Sequence, residues 1–292
     1  MQICPGCGAA SDRKVWECGD CGHSPARIDG FPAFAPELAA GNEGFEARYF
    51  AQLARLESSS FWFRSRNRLI VQILRDYNQR ARRILEIGCG TGAVLEAIRE
   101  AFSEAELSGS DVFTEGLQFA GERVPGARLF QMDATRIPFE NEFDVVCALD
   151  TLEHITEDDV VLREVFKALV PGGVMVLAVP QHRFLWSAAD DYARHKRRYS
   201  RKALVEKVRA AGFEVLFVTS FVFSLLPLMW LSRLLTARDE KTFDPTGELR
   251  IPAWLGRLLE LPLAVERQAI GRGVSLPAGG SLVLVGLRAV NS

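Results

Sequence analysis

Between Arg83 and Arg99 the chain reads Arg-Ile-Leu-Glu-Ile-Gly-Cys-Gly-Thr-Gly-Ala-Val-Leu-Glu-Ala-Ile-Arg, a buried-strand pattern that runs into glycines at 88, 90 and 92 and then into a helical pattern. Glycines at alternate positions allow a tight turn and let a ligand approach the backbone closely. The free N–H groups of the helix that follows face whatever lies over the turn. This is the chemistry of a nucleotide-type pocket. The closely related G-x-G-x-x-G fingerprint belongs to dinucleotide dehydrogenases, and Glu86, two residues before the first glycine, begins to separate the two readings.

The cysteines form a second chemically capable group. Cys4 and Cys7, then Cys18 and Cys21, make two C-x-x-C pairs, whereas Cys89 and Cys147 stand alone. Four thiolates at that spacing offer a tetrahedral site to Zn2+, and in a reducing compartment zinc is favoured over disulfides. Redox dithiols are the competing reading, and His23 is a substitute ligand because the gap between the pairs is short. A closed four-thiolate site has no open coordination position, so the Zn2+ expected here is structural. Cys147 lies in an apolar run and reads as core. Cys89 falls in the glycine turn, where a small side chain is the simplest requirement.

Two further clusters combine bases, cations and aromatics. In Asp190-Asp-Tyr-Ala-Arg-His-Lys-Arg-Arg-Tyr-Ser200, His195 lies among Arg194, Arg197, Arg198 and Tyr199. Guanidinium forks there suit phosphate or carboxylate, with a solvated charge run as the plain alternative. Phe61-Trp-Phe-Arg-Ser-Arg-Asn-Arg68 places Trp62, Arg64 and Arg66 on one helical segment. These residues contact a ligand, or they simply pack an amphipathic helix on the main domain. His154 and His195 are the candidate catalytic bases.

The elements that must position these groups follow from the pattern of the whole chain. Its 292 residues, 48% hydrophobic and 25% charged, support one full-sized core plus an appendage. A formal net charge of −2 supplies no global field for a phosphate backbone, so nucleic acid is not an expected partner. Met1 leads directly into the cysteines without the cationic and apolar stretches of a signal peptide, so a cytoplasmic location is expected. Residues 1–28 read as a zinc-ribbon-like module, 29–80 as a linker and an N-terminal helical segment near 46–77, and 81–292 as the main domain.

From Arg83 onward, strand patterns near 83–87, 106–112, 127–133, 143–149, 174–180 and 213–219 alternate with helical ones, and a last strand covers Ser281–Leu287. The prediction is an α/β doubly wound sheet, mostly parallel, with helices on both faces. Ligands of such sheets sit at the carboxyl ends of the strands. The uncharged run Val215–Ser232 touches the lower limit of a transmembrane helix, but its β-branched start and Ser220, Ser224 and Pro227 argue against one. About 221–275 reads as an apolar helical insertion carrying Trp230 and Trp254 among arginines. Helices of that kind either cover a substrate cavity or lie on a membrane surface, and the second reading would place a cytoplasmic protein at the membrane periphery.

The strand ends resemble those of the class I S-adenosylmethionine-dependent methyltransferases, in five ordered parts. Glu86-Ile-Gly-Cys-Gly-Thr-Gly92 is similar to the family's first motif, whose glycine turn cradles the methionine part of the cofactor. Asp111 matches the acidic position that hydrogen-bonds both ribose hydroxyls, a pairing suited to the two oxygens of a carboxylate. Asp133-Ala134 matches the pair at the adenine edge. Phe143 to Ile155 resembles the fourth strand and the loop under the sulfonium, and Leu169 to Leu177 the turn into the fifth strand. The resemblance implies a Rossmann-like, seven-stranded sheet whose last strand is antiparallel. It also implies S-adenosyl-L-methionine as cofactor, bound by Glu86, Gly88, Cys89, Gly90, Gly92, Asp111, Val112, Asp133, Ala134, Leu149 and Asp150. In related enzymes an N-terminal helix brings an arginine to the cofactor carboxylate, and Arg66 is the candidate here. The cysteine module departs from the general family pattern.

The expected function is methyl transfer to a small-molecule or lipid-linked acceptor bearing an anionic group, contacted by Trp62, Arg64, Arg194, Arg197, Arg198 and Tyr199. One rival is an rRNA or tRNA methyltransferase that binds substrate through the zinc ribbon. The other is a non-catalytic cofactor-sensing or partner-binding module. Nothing in the sequence fixes an oligomeric state.

Overall fold

A computed structural model describes residues 1–11, 16–39, 48–235 and 251–290. Positions 40–44 of the expected linker, 46–47 of the helical segment and 236–250 of the apolar insertion lie outside the described residues. The N-terminal module supplies β1 (Gln2–Ile3), β2 (Ala10–Ser11), β3 (Ala26–Ile28), β4 (Phe31–Ala33) and the short α1 (Pro36–Ala39). Helices α2 (Arg48–Leu56) and α3 (Phe61–Asn78) lead into the main sheet. There β5 (Arg83–Ile87), α4 (Ala93–Ala101), β6 (Glu106–Asp111), α5 (Thr114–Arg123), β7 (Arg128–Gln131), β8 (Phe143–Leu149), α6 (Asp158–Ala168) and β9 (Leu169–Pro180) alternate. They are followed by α7 (Ala188–Tyr192), α8 (Arg201–Ala210), β10 (Glu214–Phe221), α9 (Leu226–Leu235), α10 (Ala253–Gly271) and β11 (Ser281–Leu287).

One sheet runs β10-β11-β9-β8-β5-β6-β7-β4-β3. Strands β5 to β9 pair in parallel, and β11 inserts antiparallel between β9 and β10. The chain leaves β5 toward β6 and β7, then returns to β8 on the other side of β5. That reversal opens a crevice at the carboxyl ends of β5 and β8, where such sheets bind ligands.

The sheet holds nine strands, not the seven expected. The two extra strands are the hairpin of β3 and β4, which extends the β7 edge through the parallel pair Ala33–Gln131. Its turn is Asp29-Gly30, with φ of +51° and +87°. Two positive-φ residues between strands make a type I′ hairpin, for which Asp-Gly is a strong sequence signal. The stretch from Asp29 that read as unstructured linker therefore contains β4 and α1.

The period-two alternation of the strands sorts side chains cleanly to the two faces. Ile84, Val145, Cys147, Val176 and Val285 join the core beneath α3, α4, α5 and α10. Leu85, Ile87, Val146, Leu177 and Leu284 join the core beneath α6 and α8. Helices α3 and α10 pack against each other, so the apolar insertion is partly a second layer over the N-terminal helix. No described helix is long and apolar enough to cross a membrane.

Candidate active site

The site grows from the end of β5. Gly88, Gly90 and Gly92 have φ of +69°, +50° and +77°, a region that side chains disfavour. A Cβ at Gly88 would also strike the side chain of Thr151, and one at Gly92 would lie 2.9 Å from Ala120 Cα. At Gly90 the surroundings are open, with the Phe50 ring at 3.5 Å as the nearest atoms. The turn is therefore packed on two sides and forms a cradle at its middle residue.

Neighbouring strand ends hold the cradle in shape. Thr151 Oγ1 donates to the carbonyl oxygens of Ile87 and Leu149, stapling β5 to β8. Gly90 N–H donates to Asp111 Oδ2 at 2.9 Å, and Phe113 N–H donates to Oδ1 at 3.0 Å. Burial raises the Asp111 carboxyl to about 6, against the pull of those backbone donors. Each oxygen retains a lone pair for a further donor. Glu86 is only 2% exposed, and its Oε2 has no hydrogen-bond partner. Burial pushes it up to about 8, with the Arg66 guanidinium acting in the opposite direction.

Helix α3 delivers Arg66 into the same space. Its Nη1 meets Asp150 Oδ2 at 2.5 Å, and its guanidinium lies 4.8 Å from the centre of the Trp62 ring. Asp150, the residue after β8, has a strained φ of +53°, and its carboxylate meets Arg66 in the crevice. On the β7 side, Thr135 N–H donates to Asp133 Oδ1, and Arg136 bonds Oδ2. The buried Gln131 side chain clamps both backbone groups of Ala35, so the N-terminal module docks beside Asp133. Trp16 packs edge-on against Phe34 and Phe130 in that seam.

The two candidate bases meet at the rim. The rings of His154 and His195 stand edge-to-face with centroids 4.7 Å apart. Burial and the neighbouring His195 hold His154 down at about 4, so it is neutral near pH 7. His195 Nδ1 bonds Asp190 Oδ1 at 2.9 Å. Beside them, Glu153 is fully buried and neither of its oxygens has a hydrogen-bond partner.

The basic loop turns inward rather than facing solvent. Arg198 is 8% exposed and grips Asp190 through two nitrogens at 2.7 and 2.9 Å. Burial would raise Asp190, but bonds from His195 and Arg198 outweigh it and hold the carboxyl low. Arg197, Lys207 and the hydroxyl of buried Tyr199 converge on Asp158. Arg194 adopts a φ of +55°. Arg64 is directed away from the crevice to Glu260 on α10 and to the carbonyls of Ser58 and Ser59. In the free chain Arg64, Arg197 and Arg198 are thus paired with local carboxylates on α10, α6 and α7. Cys89 is buried, and its thiol is raised well above the usual range. Val112 and Leu149 line the backbone next to Asp111 and Asp150.

Cys4 Sγ lies 3.6 Å from Cys21 Sγ, and Cys7 Sγ lies 3.7 Å from Cys18 Sγ. All four thiols fall within 4.8 Å of one another. Thiolates around a tetrahedral Zn2+ at ~2.3 Å sit ~3.8 Å apart, so the cluster fits that ion, and all four cysteines are free thiols. His23 is not in the cluster; its ring packs against Gly6 instead.

A family model described as a methyltransferase domain matches residues 57–218. The chain belongs to that family, the class I S-adenosylmethionine-dependent methyltransferases. The match runs from the end of α2 to β10 and contains the whole crevice. A trans-aconitate 2-methyltransferase of Variovorax paradoxus strain S110 is 33% identical over 104 residues, 35% of this chain and 40% of that protein. A ubiquinone biosynthesis O-methyltransferase of Psychrobacter arcticus is 31% identical over 105 residues, 33% of this chain and 40% of that protein. The chain thus matches less than half the length of these relatives. A solved complex of the Haloferax volcanii Trm112 methyltransferase activator with a methyltransferase shares the fold. There the TM-score is 0.53 and the identity 18%, over 83% of this chain and 97% of that one.

The methyltransferase domain also holds site residues that the sequence did not single out. Glu153 stands between two residues of the fourth-strand loop, and its only sequence signal was adjacency to His154. Asp190 was legible as part of a charge run but not as the group that orients His195.

Proposed function

We propose that the protein transfers a methyl group from S-adenosylmethionine to a small-molecule or lipid-linked acceptor with an anionic group. The observation that carries this reading is the convergence of the glycine cradle, the orphaned carboxyl oxygen of Glu86, Asp111, Asp150 and Arg66 at one switch point of the sheet. When bound, the cofactor supplies a methyl group on a sulfonium, already activated for in-line displacement. The chain then has to bind, align and exclude water. Asp111 offers the two ribose hydroxyls its remaining lone pairs, Asp133 and Ala134 border the adenine edge, and Arg66 exchanges part of its pairing with Asp150 for the cofactor carboxylate.

The acceptor approaches from the loops after β8 and β9, where His154 and His195 lie. A cavity of about 400 Å³ opens among the residues that follow β9, lined by His182, Arg183, Phe184, Arg197, Arg198, Tyr199 and Lys207 among others. Its four cations outnumber Asp158 and Asp190, the two carboxylates they pair with, which supports an anionic acceptor. A larger cavity of about 640 Å³ between α3, α4 and α10 contains none of the strand-end carboxylates. We place the acceptor in the smaller space because its lining comes from the segment after β9 that also carries His195.

The lipid-linked alternative is supported by α10. Trp254, Leu258, Leu261 and Val265 lie at helical spacing and are all exposed, forming an apolar stripe opposite the face that packs on the domain. A cytoplasmic protein that touches a membrane through this stripe is the corresponding localisation. The zinc module lies at the β7 edge of the sheet, across β8, β5 and β6 from β9, which supports a structural role over substrate presentation. Calorimetry with S-adenosylmethionine tests the proposal, followed by mass spectrometry of extracts incubated with labelled cofactor. Absence of cofactor binding, or binding indifferent to Asp111→Ala, sinks it.

A further inference from the structure

We propose that Glu153, His154 and His195 form a site for one divalent transition-metal ion at the acceptor rim. The three residues come from two loops, the turn Leu152–His154 after β8 and the segment after α7. Their candidate ligand atoms all lie within 4.8 Å of one another, and His195 Nε2 is 4.0 Å from Glu153 Oε1. Donors on one ion at ~2.1 Å stand up to ~4.2 Å apart, so side-chain adjustments of about an ångström close the set.

The surroundings are arranged as ligands require. His195 gives Nδ1 to Asp190, and Asp190 is fixed by the two-nitrogen grip of Arg198, which leaves Nε2 directed at Glu153. His195 thus has one nitrogen held by an outer partner and one available, the usual outer arrangement of a metal-bound histidine. The independent pointer to a ligand is Glu153, which is fully buried with both oxygens unpartnered. A buried carboxylate without a partner is strongly disfavoured, and a cation satisfies both oxygens at once.

Two imidazoles and one carboxylate favour Mn2+, Fe2+, Co2+ or Zn2+ over Ca2+ and Mg2+, whose sites are built from oxygen. Three protein ligands leave coordination positions open, unlike the closed thiolate set of the N-terminal module. On the methyl-transfer reading, on which this second part alone rests, the open positions take a hydroxyl or carboxylate oxygen of the acceptor. The ion then orients that oxygen toward the cofactor and favours loss of a hydroxyl proton to solvent.

The test uses the full, zinc-loaded chain. Metal analysis of the purified protein comes first, followed by titration with Mn2+, with free ion read by electron paramagnetic resonance. Mn2+ is a hard ion that avoids thiolates, so it separates this site from the cysteine cluster. The expected result is one equivalent beyond the cysteine-bound zinc, either co-purified or bound as Mn2+. Glu153→Gln and His195→Asn should each weaken binding at least ~10-fold. Cys21→Ser should leave it unchanged. The site is overturned if the wild type holds no such equivalent, if neither variant affects it, or if Cys21→Ser abolishes it. Because His195 sits at the rim, its variant remains informative where Glu153→Gln fails to fold. S-adenosylmethionine calorimetry on the same samples keeps the two readings apart: cofactor binding without the metal sinks only the site, and metal without cofactor sinks only the methyl-transfer reading.

Discussion

The backbone N–H of Gly90 donates to Asp111 Oδ2 at 2.9 Å, so the middle of the glycine turn is anchored to the end of the adjacent strand. Asp111→Ala removes that anchor and the one to Phe113, leaving two backbone donors without their partner. The cost is about 1–3 kcal/mol of stability, and the affinity for S-adenosylmethionine falls by roughly tenfold or more. Thermal unfolding and calorimetry measure the two effects. An unchanged affinity would remove Asp111 from the cofactor site.

Glu86 makes the apo protein sensitive to alkaline pH. Its carboxyl rises from 4.5 to about 8 on folding, so the folded state holds the proton more tightly than the unfolded one. The associated stability is complete below about 4.5 and is lost as pH rises through about 8. A shift of this size corresponds to an upper bound of about 5 kcal/mol. Glu86→Gln should flatten the pH dependence of unfolding between those limits and stabilise the apo protein most on the alkaline side.

Cofactor binding should release protons near neutral pH. A sulfonium and an ammonium brought close to Glu86 favour its ionised form. Calorimetry in buffers of different ionisation enthalpy counts the protons, with up to one released by the wild type and fewer by Glu86→Gln. Equal release from both proteins would assign the proton elsewhere.

Arg66 and Asp150 are paired inside the crevice at 2.5 Å, with side chains 12% and 26% exposed. Arg66→Leu leaves Asp150 uncompensated and should cost about 1–3 kcal/mol, less than for a fully buried pair because water still reaches the carboxylate. Cofactor affinity should fall as well. The double variant with Asp150→Asn should regain much of the stability but not the affinity, and recovery of both would mean that the pair is purely structural.

Leu261 and Val265 are 62% and 67% exposed on α10. Replacing both with Glu should leave the unfolding temperature within a degree or two, because neither contributes to the core. Flotation with anionic vesicles should drop several-fold if the stripe meets lipid. Equal flotation of variant and wild type would exclude this surface.

Much of the site was legible in the sequence because its parts are local. Alternating apolar residues fix which strand faces which core, glycines mark positive φ, and a carboxylate at a strand end needs no distant partner to be placed. Glu86, Gly88 to Gly92, Asp111, Asp133 and Asp150 all fall in this class, as do the two cysteine pairs. The Asp29-Gly30 hairpin was equally local, but its composition read as linker, and only its pairing with Gln131 on β7 shows that it extends the sheet.

Tertiary structure alone decided the rest, because charge and hydrogen bonding are settled by what lies across space. The arginines at 197 and 198 are a run of like charge in one dimension, and only the fold pairs them with Asp158 and Asp190 on neighbouring helices. Arg66 and Asp150 are 84 positions apart and meet only because α3 crosses the end of β8. Glu153, His154 and His195 become a cluster because two loops close over the same rim, where burial strips Glu153 of water and leaves its charge to be met by something else.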